Sequence, residues 1–232
     1  MLEKEIKVFN LGTAEEIEKI LIEKGAKLVK FEEQQNIIYN FKNKMIRLRK
    51  RFPLNEERKY RKPPILEYTI KTNTEITETH RIDSERTINI SLDVFEKLLS
   101  NYKKEKSIYI PVLVGNKLRK SFKLNNFLYE IDVWNRFICP YTYLEIEALE
   151  PQDELIDGIK QILTEEQINS IITTTLGIGQ IYKYYHNANN FFDLFTKCNV
   201  FKDDMLCIDR FIKIIDKELN IKGLVQTGVV IS

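Results

Sequence analysis

The sequence predicts an α+β protein in which roughly eight antiparallel strands form a barrel or a curled sheet with flanking helices. Two observations carry this prediction. Charged and apolar residues alternate along several segments that are separated by short connections, which is typical of antiparallel strands. Other segments, between these strands and after them, have apolar residues three and four positions apart, which is typical of amphipathic helices.

The first half of the chain opens with a strand and a helix. In residues 1–8, the side chains of Glu3, Glu5 and Lys7 fall on one face of the strand. Thr13 and Glu16 form a capping box that starts a helix. Further strands are predicted at residues 35–41, 45–52, 66–71 and 77–83, an exposed loop at 53–64, and a second helix at 91–102.

The second half contains a hairpin whose register follows from its turn. Short strands are predicted at 107–114 and 117–124, and Asn125 and Asn126 connect the latter to a strand at 127–134. A two-residue loop here places Arg119 opposite Asp132, so the polar faces of the two strands coincide.

A last strand at residues 143–148 carries Glu145 and Glu147 on one face. The pattern then becomes helical at 155–163, 164–172, 181–195 and 205–219, and an apolar segment at 225–231 is either an added strand or a packed tail. We expect one domain over residues 1–189 and a C-terminal helical extension over 190–232 that packs on or beside it.

Composition excludes several classes of protein. The 232 residues are 43% hydrophobic and 30% charged with a net charge of +2, so a basic nucleic-acid-binding face is not expected. The sequence has no run of about 18 apolar residues, so no membrane span is predicted. Three cysteines without metal spacing favour a reducing, cytoplasmic compartment, and two histidines make a zinc site or a Ser-His-Asp triad a poor starting hypothesis.

The alternating charges form two sets. The acids are Glu3, Glu5, Glu130, Asp132, Glu145 and Glu147, and the bases are Lys7, Arg47, Arg49, Lys71, Arg81, Lys117 and Arg119. Carboxylates suit Mg²⁺ or Mn²⁺, and guanidinium groups suit phosphate, so a cavity lined by both sets could hold a metal–polyphosphate. On a half-exposed sheet the same charges would simply face water, and spacing alone leaves that alternative open.

Five motifs in order resemble those of CYTH domains, the triphosphate tunnel metalloenzymes named after class IV adenylyl cyclase and thiamine triphosphatase. They are Glu-x-Glu-x-Lys at residues 3–7, the Gln-containing strand at 35–41, Ile-Arg-Leu-Arg at 46–49, Tyr-Thr-Ile-Lys at 68–71 and Leu-Glu-Ile-Glu at 144–147. The resemblance covers about residues 1–185. Each motif is weak alone, but five in order are fairly specific.

The resemblance implies an eight-stranded antiparallel barrel whose tunnel binds a triphosphate and Mg²⁺ or Mn²⁺. By position it makes Glu3, Glu5, Glu145 and Glu147 metal ligands, with Glu130 and Asp132 as further candidates. It makes Lys7, Arg47, Arg49, Lys71 and Arg119 triphosphate contacts, to which Arg81 and Lys117 are added as basic-face candidates. Lys7, Glu5 and Glu147 are the expected catalytic residues.

The function expected from this resemblance is hydrolysis of tripolyphosphate, ATP or thiamine triphosphate. A class IV type adenylyl cyclase is the first alternative, since the sequence does not show which phosphorus is attacked. A non-catalytic polyphosphate- or nucleotide-binding module is the second, with residues 190–232 as its interaction or homodimerisation element. An RNA 5′-triphosphatase would need a basic rim, for which a net charge of +2 gives little support.

Overall fold

A computed structural model of the chain describes residues 2–41, 44–76, 80–105, 108, 110–135, 139, 141–178 and 181. The strands of this part are β1 (Leu2–Phe9), β2 (Lys27–Phe41), β3 (Lys44–Pro53), β4 (Ile65–Ile76), β5 (Arg81–Asn89), β6 (Ile110–Leu124), β7 (Phe127–Trp134), β8 (Tyr143–Ala148) and β9 (Ile172–Thr174). Its helices are α1 (Ala14–Glu23), α2 (Leu92–Lys104), α3 (Leu155–Ile162) and α4 (Glu165–Ile168).

Strands β1 to β8 close into an antiparallel barrel. The order around it is β1-β5-β4-β3-β2-β6-β7-β8, and β1 closes the ring by pairing with β5 on one edge and β8 on the other. The short strand β9 pairs with the end of β1, beyond the last residue that β5 reaches, and lies outside the ring. The predicted α+β class and eight-stranded barrel are confirmed, and the predicted hairpin register, with Arg119 opposite Asp132, is the one observed.

Several predicted elements differ from the structure: β2, predicted over 35–41, begins at Lys27, and β4, predicted over 66–71, continues to Ile76. Residues 110–124 form one strand instead of two, because pairing with β2 continues through Gly115, which faces Asn36. β5 begins at Arg81 and runs to Asn89, where the sequence predicted a strand at 77–83, because β4 supplies pairing partners along its whole length. The helix predicted at 164–172 is a single short helix, α4, followed by β9.

The C-terminal predictions remain predictions. The helices at 181–195 and 205–219, the segment at 225–231 and the extension over 190–232 lie outside the described residues, apart from Ile181.

The apolar core lies outside the barrel, between its wall and the helices. One cluster packs α1 and α3 on β1, β7 and β8, with Ile6, Leu144 and Ile146 fully buried against helix residues such as Leu21 and Ile159. A second cluster packs α2 on β3 and β4. The outward faces of the strands are therefore the apolar ones, which leaves the polar faces turned inward.

In the part of the chain that the structure describes, none of the helices combines the length and apolar character needed to span a membrane.

Candidate active site

Polar and charged side chains fill the interior of the barrel, and every barrel strand contributes to them. Most of these side chains are buried although they carry charge. The described interior residues are Glu3, Glu5, Lys7, Glu32, Gln34, Asn36, Arg47, Arg49, Arg51, Glu67, Thr69, Lys71, Asp83, Glu85, Lys117, Arg119, Ser121, Glu130, Asp132, Tyr143, Glu145 and Glu147. Apart from Arg81, whose side chain the structure does not describe, both predicted sets of charges thus line the interior of one barrel, which sets aside the alternative of a half-exposed sheet.

The first wall is acidic and is built from β1 and β8. Glu5 lies opposite Glu147 in the β1–β8 register, and Glu3 is the next inward residue on β1. Burial and the charge of Glu5 raise the pKa of Glu3 to about 7. Burial and the charges of Glu3, Glu145 and Glu5 raise the pKa of Glu147 to about 8. No described cation lies within ion-pair distance of Glu147, so this wall concentrates negative charge.

Two lysines extend into the acidic wall. Lys7 Nζ lies 3.1 Å from Glu5 Oε1 and 2.9 Å from Glu145 Oε2. Burial raises the pKa of Glu145, whereas Lys7 and Arg119 lower it. The two cations outweigh the burial, so the pKa of this carboxyl lies well below its usual range. Lys7 therefore neutralises one side of the wall.

Lys71 Nζ lies within ion-pair distance of four carboxylates. It lies 2.5 Å from Glu3 Oε2, 2.9 Å from Asp83 Oδ2, and 3.6 Å from both Glu5 Oε2 and Glu85 Oε2. These four carboxylates raise the pKa of Lys71 above its usual value although burial opposes the shift. Lys71 therefore supports the acidic wall, while its predicted role as a triphosphate contact remains a prediction.

The second wall is basic, and Arg119 lies where it meets the first. Arg119 Nε and Nη2 donate to the two oxygens of Asp132 at 2.6 Å each, Nη1 donates to Glu130, and Nη2 also reaches Glu145 at 3.1 Å. Lys117 Nζ donates to Asp132 Oδ2 at 2.6 Å. Glu130 and Asp132 are thus held by cations here, and their assignment as metal ligands remains a prediction.

Like charges crowd along this wall. Burial, together with Arg47 and Arg119, lowers the pKa of Arg49 to about 9. Burial and Arg119 lower the pKa of Lys117 to about 7. The charged forms of Arg49 and Lys117 would gain from a bound polyanion, because the anion would offset the repulsion from the neighbouring cations.

Two aromatic side chains, Trp134 and Tyr143, contact residues of the basic wall. Lys117 Nζ lies 5.1 Å from the centroid of the Trp134 ring, whose Nε1 donates to the hydroxyl of Tyr143 at 2.8 Å. That hydroxyl donates in turn to Asp132 Oδ2 at 3.1 Å. These contacts fix Asp132 and Lys117 in place.

The sequence reasoning missed several interior residues. Arg51 joins Glu32 and Glu67, with 2.9 Å from Nε to Glu32 Oε2 and 2.6 Å from Nη1 to Glu67 Oε1. Strict alternation with Lys71 could have identified Glu67. Alternation with Arg81 could equally have identified Asp83 and Glu85, the second of which pairs with Arg47 Nη2 at 3.1 Å.

The backbone of Arg81 begins β5 opposite Glu5. Its side chain lies outside what the structure describes, so its role stays a prediction.

The chemistry of the acidic wall suits a hard divalent cation. Among the described residues, no three or more His, Cys, Asp or Glu side chains are arranged to hold a metal ion as they stand. The wall nevertheless offers several carboxylate oxygens, and two of its members have raised pKa values because they are buried and because neighbouring carboxylates repel their charge. A divalent cation with a preference for oxygen would relieve that repulsion.

Comparison with known proteins identifies the family of this chain. The CYTH domain model matches residues 1–175. A protein from Pyrococcus horikoshii OT3 is similar in structure, with a TM-score of 0.54 and 22% identity over 71% of this chain and 92% of that one. A candidate adenylyl cyclase from Hippeastrum, described as having a dominant triphosphatase activity, is similar with a TM-score of 0.55 and 11% identity over 78% of this chain and 95% of that one. No curated protein matches the chain. The closed barrel and the match over residues 1–175 agree, and the chain belongs to the CYTH domain family.

Proposed function

We propose that the protein is a divalent-metal-dependent hydrolase of triphosphate-containing substrates, which it binds inside the barrel. One observation carries the proposal. Inside one barrel, two inward carboxylates, Glu3 and Glu147, have raised pKa values, and two inward cations, Arg49 and Lys117, have lowered pKa values. A metal–triphosphate carries both of the charges that such an interior needs.

The basic wall would bind and orient the phosphates. Arg47, Arg49 and Arg119 offer planar guanidinium groups that suit phosphate oxygens, while Lys117 adds a point charge. Cations fixed in a buried cavity stabilise charge that develops on oxygen more effectively than they would in water. This wall therefore favours the transition state, in which negative charge moves onto the leaving bridging oxygen.

Glu3, Glu5 and Glu147 would hold the metal, and Lys7 would keep Glu5 and Glu145 in position. When bound, Mg²⁺ or Mn²⁺ would neutralise phosphate charge and help to orient the reacting groups. Lys7 also lies close enough to the acidic wall to contact a phosphate there. The predicted catalytic set of Lys7, Glu5 and Glu147 is retained in the proposal for these reasons.

The Hippeastrum protein supports hydrolysis as the reaction to test first, because its described triphosphatase activity is dominant. At 11% identity that likeness concerns the fold, so substrate and reaction need direct measurement. Purified protein with Mg²⁺ or Mn²⁺ should release orthophosphate from tripolyphosphate, ATP or thiamine triphosphate. Release of cyclic AMP and pyrophosphate from ATP would instead identify a cyclase, and triphosphate binding without turnover would identify a binding module.

Glu5→Gln provides the matched test of the metal site. The variant keeps the shape of the side chain but removes a carboxylate at the centre of the acidic wall, so metal-dependent activity should be abolished while the barrel still folds. Glu150→Gln, at an exposed position after β8, is the control and should behave as wild type. Unchanged activity in Glu5→Gln would refute the assignment of Glu5 as a ligand.

A further inference from the structure

Gln34, in the middle of β2, has a buried carboxamide that is satisfied at only one end. Its side chain is 1% exposed, and Nε2 donates to Glu32 Oε1 at 2.5 Å. Its Oε1 has no hydrogen-bond partner among the described residues. Leaving a buried acceptor unpaired costs about 1–3 kcal/mol, so such an atom in a cavity suggests a ligand that donates to it.

The orientation of this amide is fixed by its neighbour. Arg51 holds Glu32 Oε2 through Nε at 2.9 Å and Nη2 at 2.8 Å. Burial raises the pKa of Glu32, but Arg51 outweighs it and leaves the pKa below the usual value. Glu32 is therefore ionised and can only accept hydrogen bonds. The NH₂ group of Gln34 must face Glu32, since a flipped amide would place two acceptors 2.5 Å apart.

Gln34 lies in the basic wall. In the strand register, Gln34 is opposite Arg51 on β3 and Lys117 on β6, and the adjacent inward residue Glu32 is opposite Arg119. The other adjacent inward residue, Asn36, accepts from Arg49 Nε at 2.9 Å through its Oδ1. Gln34 Oε1 is thus an acceptor set among the cations that we assign to the phosphates.

Few groups of a bound substrate could donate a hydrogen bond to Gln34 Oε1. Ionised phosphate oxygens also accept hydrogen bonds, so they cannot pair with Gln34 Oε1. The group it receives must carry a hydrogen and must lie beside the bound phosphates. In a hydrolysis, the attacking water meets both conditions. An amide oxygen that accepts a hydrogen bond from this water orients it, so that a lone pair of the water oxygen can point at the phosphorus.

Resting on the proposed hydrolase function, we infer that Gln34 Oε1 accepts a hydrogen bond from the water that attacks the terminal phosphate. The water oxygen forms the new bond to phosphorus, and the bond from phosphorus to the bridging oxygen breaks, leaving its electron pair on that oxygen. The proton lost by the water passes to the leaving phosphate or to solvent. Gln34 orients the water and neither gains nor loses a proton.

The test compares Gln34→Leu with Gln35→Leu, which makes the same change on the opposite face of β2. With Mn²⁺ and tripolyphosphate, Gln34→Leu should lower kcat by about 10- to 100-fold, the range expected when a reacting group loses its orientation. Its KM, and the Kd for tripolyphosphate measured by calorimetry, should stay within about threefold of wild type, because the phosphate contacts remain. Gln35→Leu should leave both constants unchanged.

Several outcomes would overturn the inference. A kcat within twofold of wild type means that Gln34 does not orient the nucleophile, and a loss confined to KM means that it binds substrate instead. If Gln34→Leu does not fold, Gln34→Met removes the same acceptor with an unbranched side chain and must show the same loss of kcat. Failure of the wild type to hydrolyse any triphosphate would refute the proposed function and this inference with it, whereas an active wild type with an equally active Gln34 variant would refute the inference alone.

Discussion

Replacing Lys71 by Met should destabilise the metal-free protein strongly. The change removes the ammonium group that lies 2.5 Å from Glu3, 2.9 Å from Asp83 and 3.6 Å from Glu5 and Glu85, and leaves their charges buried without it. Removing one partner of a buried ion pair costs about 3–5 kcal/mol, because the remaining charge cannot regain its water. Protonation of Glu3, whose pKa is about 7, would keep the loss near the lower value.

The expected loss is fully present at neutral pH. A lysine with a raised pKa contributes stability below its unfolded pKa, about 10.4, and loses it only as pH rises through the folded value. Since the pKa of Lys71 is raised, urea unfolding at pH 7.5 measures the whole contribution. The melting temperature should fall by about 6–20 °C for a chain of this size.

Lys19→Met is the matched control. Lys19 Nζ lies 3.8 Å from Glu23, and both side chains are largely exposed on α1. Exposed pairs of this kind contribute about 0.3–0.5 kcal/mol, so the control should unfold almost as wild type does. If Lys71→Met lost no more stability than Lys19→Met, Lys71 would not be neutralising the acidic wall.

The same variant also tests the metal site by a measurement other than activity. Lys71 and a divalent cation would compete for Glu3 and Glu5, so removal of the ammonium should tighten Mn²⁺ binding in calorimetry and let Mn²⁺ recover part of the lost stability. Weaker Mn²⁺ binding would show that Lys71 and the metal do not share these carboxylates.

Two further predictions concern acid stability and helix packing. Although burial opposes it, Arg47 and Lys71 lower the pKa of Glu85 to about 2, so its stabilisation is present above the unfolded value of 4.5 and is lost as pH falls toward 2. The difference in unfolding free energy between wild type and Glu85→Gln should therefore shrink over that range, and a difference that stays constant with pH would contradict the assignment. Gly158→Ala should destabilise by about 1–2 kcal/mol despite the better helix propensity of Ala, because a Cβ there would lie 2.8 Å from the Phe127 ring and 3.1 Å from Ile146. Denaturant unfolding that showed higher stability would mean that the Phe127 ring shifts easily.

Which side chains share one face of a strand could be predicted from the sequence because this depends on a period of two, whereas closure into a barrel followed only from the resemblance to CYTH domains. Once β1 and β8 place apolar residues outward against α1 and α3, every second residue must face inward, and Glu3, Glu5, Lys7, Glu145 and Glu147 follow. The two-residue loop at Asn125 and Asn126 fixed the β6–β7 register for a similar reason. These inferences needed only neighbours in sequence or in one hairpin.

The partners of each charge could not be predicted, because they come from strands far apart in the sequence. Lys71 on β4 meets Glu3 on β1, 68 residues away, only because β5 closes the ring between them. A lysine that alternates with apolar residues gives the same pattern whether it faces a phosphate or a carboxylate. The carboxylate partners of Lys71 therefore depend on closure of the barrel, which no local stretch of sequence predicts.

The inward residues of β2 were missed for a different reason. Part of the outward face of this strand does not pack on apolar residues. Alternation is visible only where one face packs on apolar residues. From Ile37 onward β2 packs toward the cluster under α2, and its outward residues are apolar. Between residues 32 and 36, the outward residues Glu33 and Gln35 belong to neither of the two apolar clusters described above. There the outward side chain of Glu33 accepts a hydrogen bond from the Tyr60 hydroxyl at 2.9 Å, so polar residues occupy both faces and the period disappears. Gln34 and Gln35 are identical neighbours in the sequence, and only the closed barrel gives them different surroundings, because it buries the first among arginines and leaves the second on the outside.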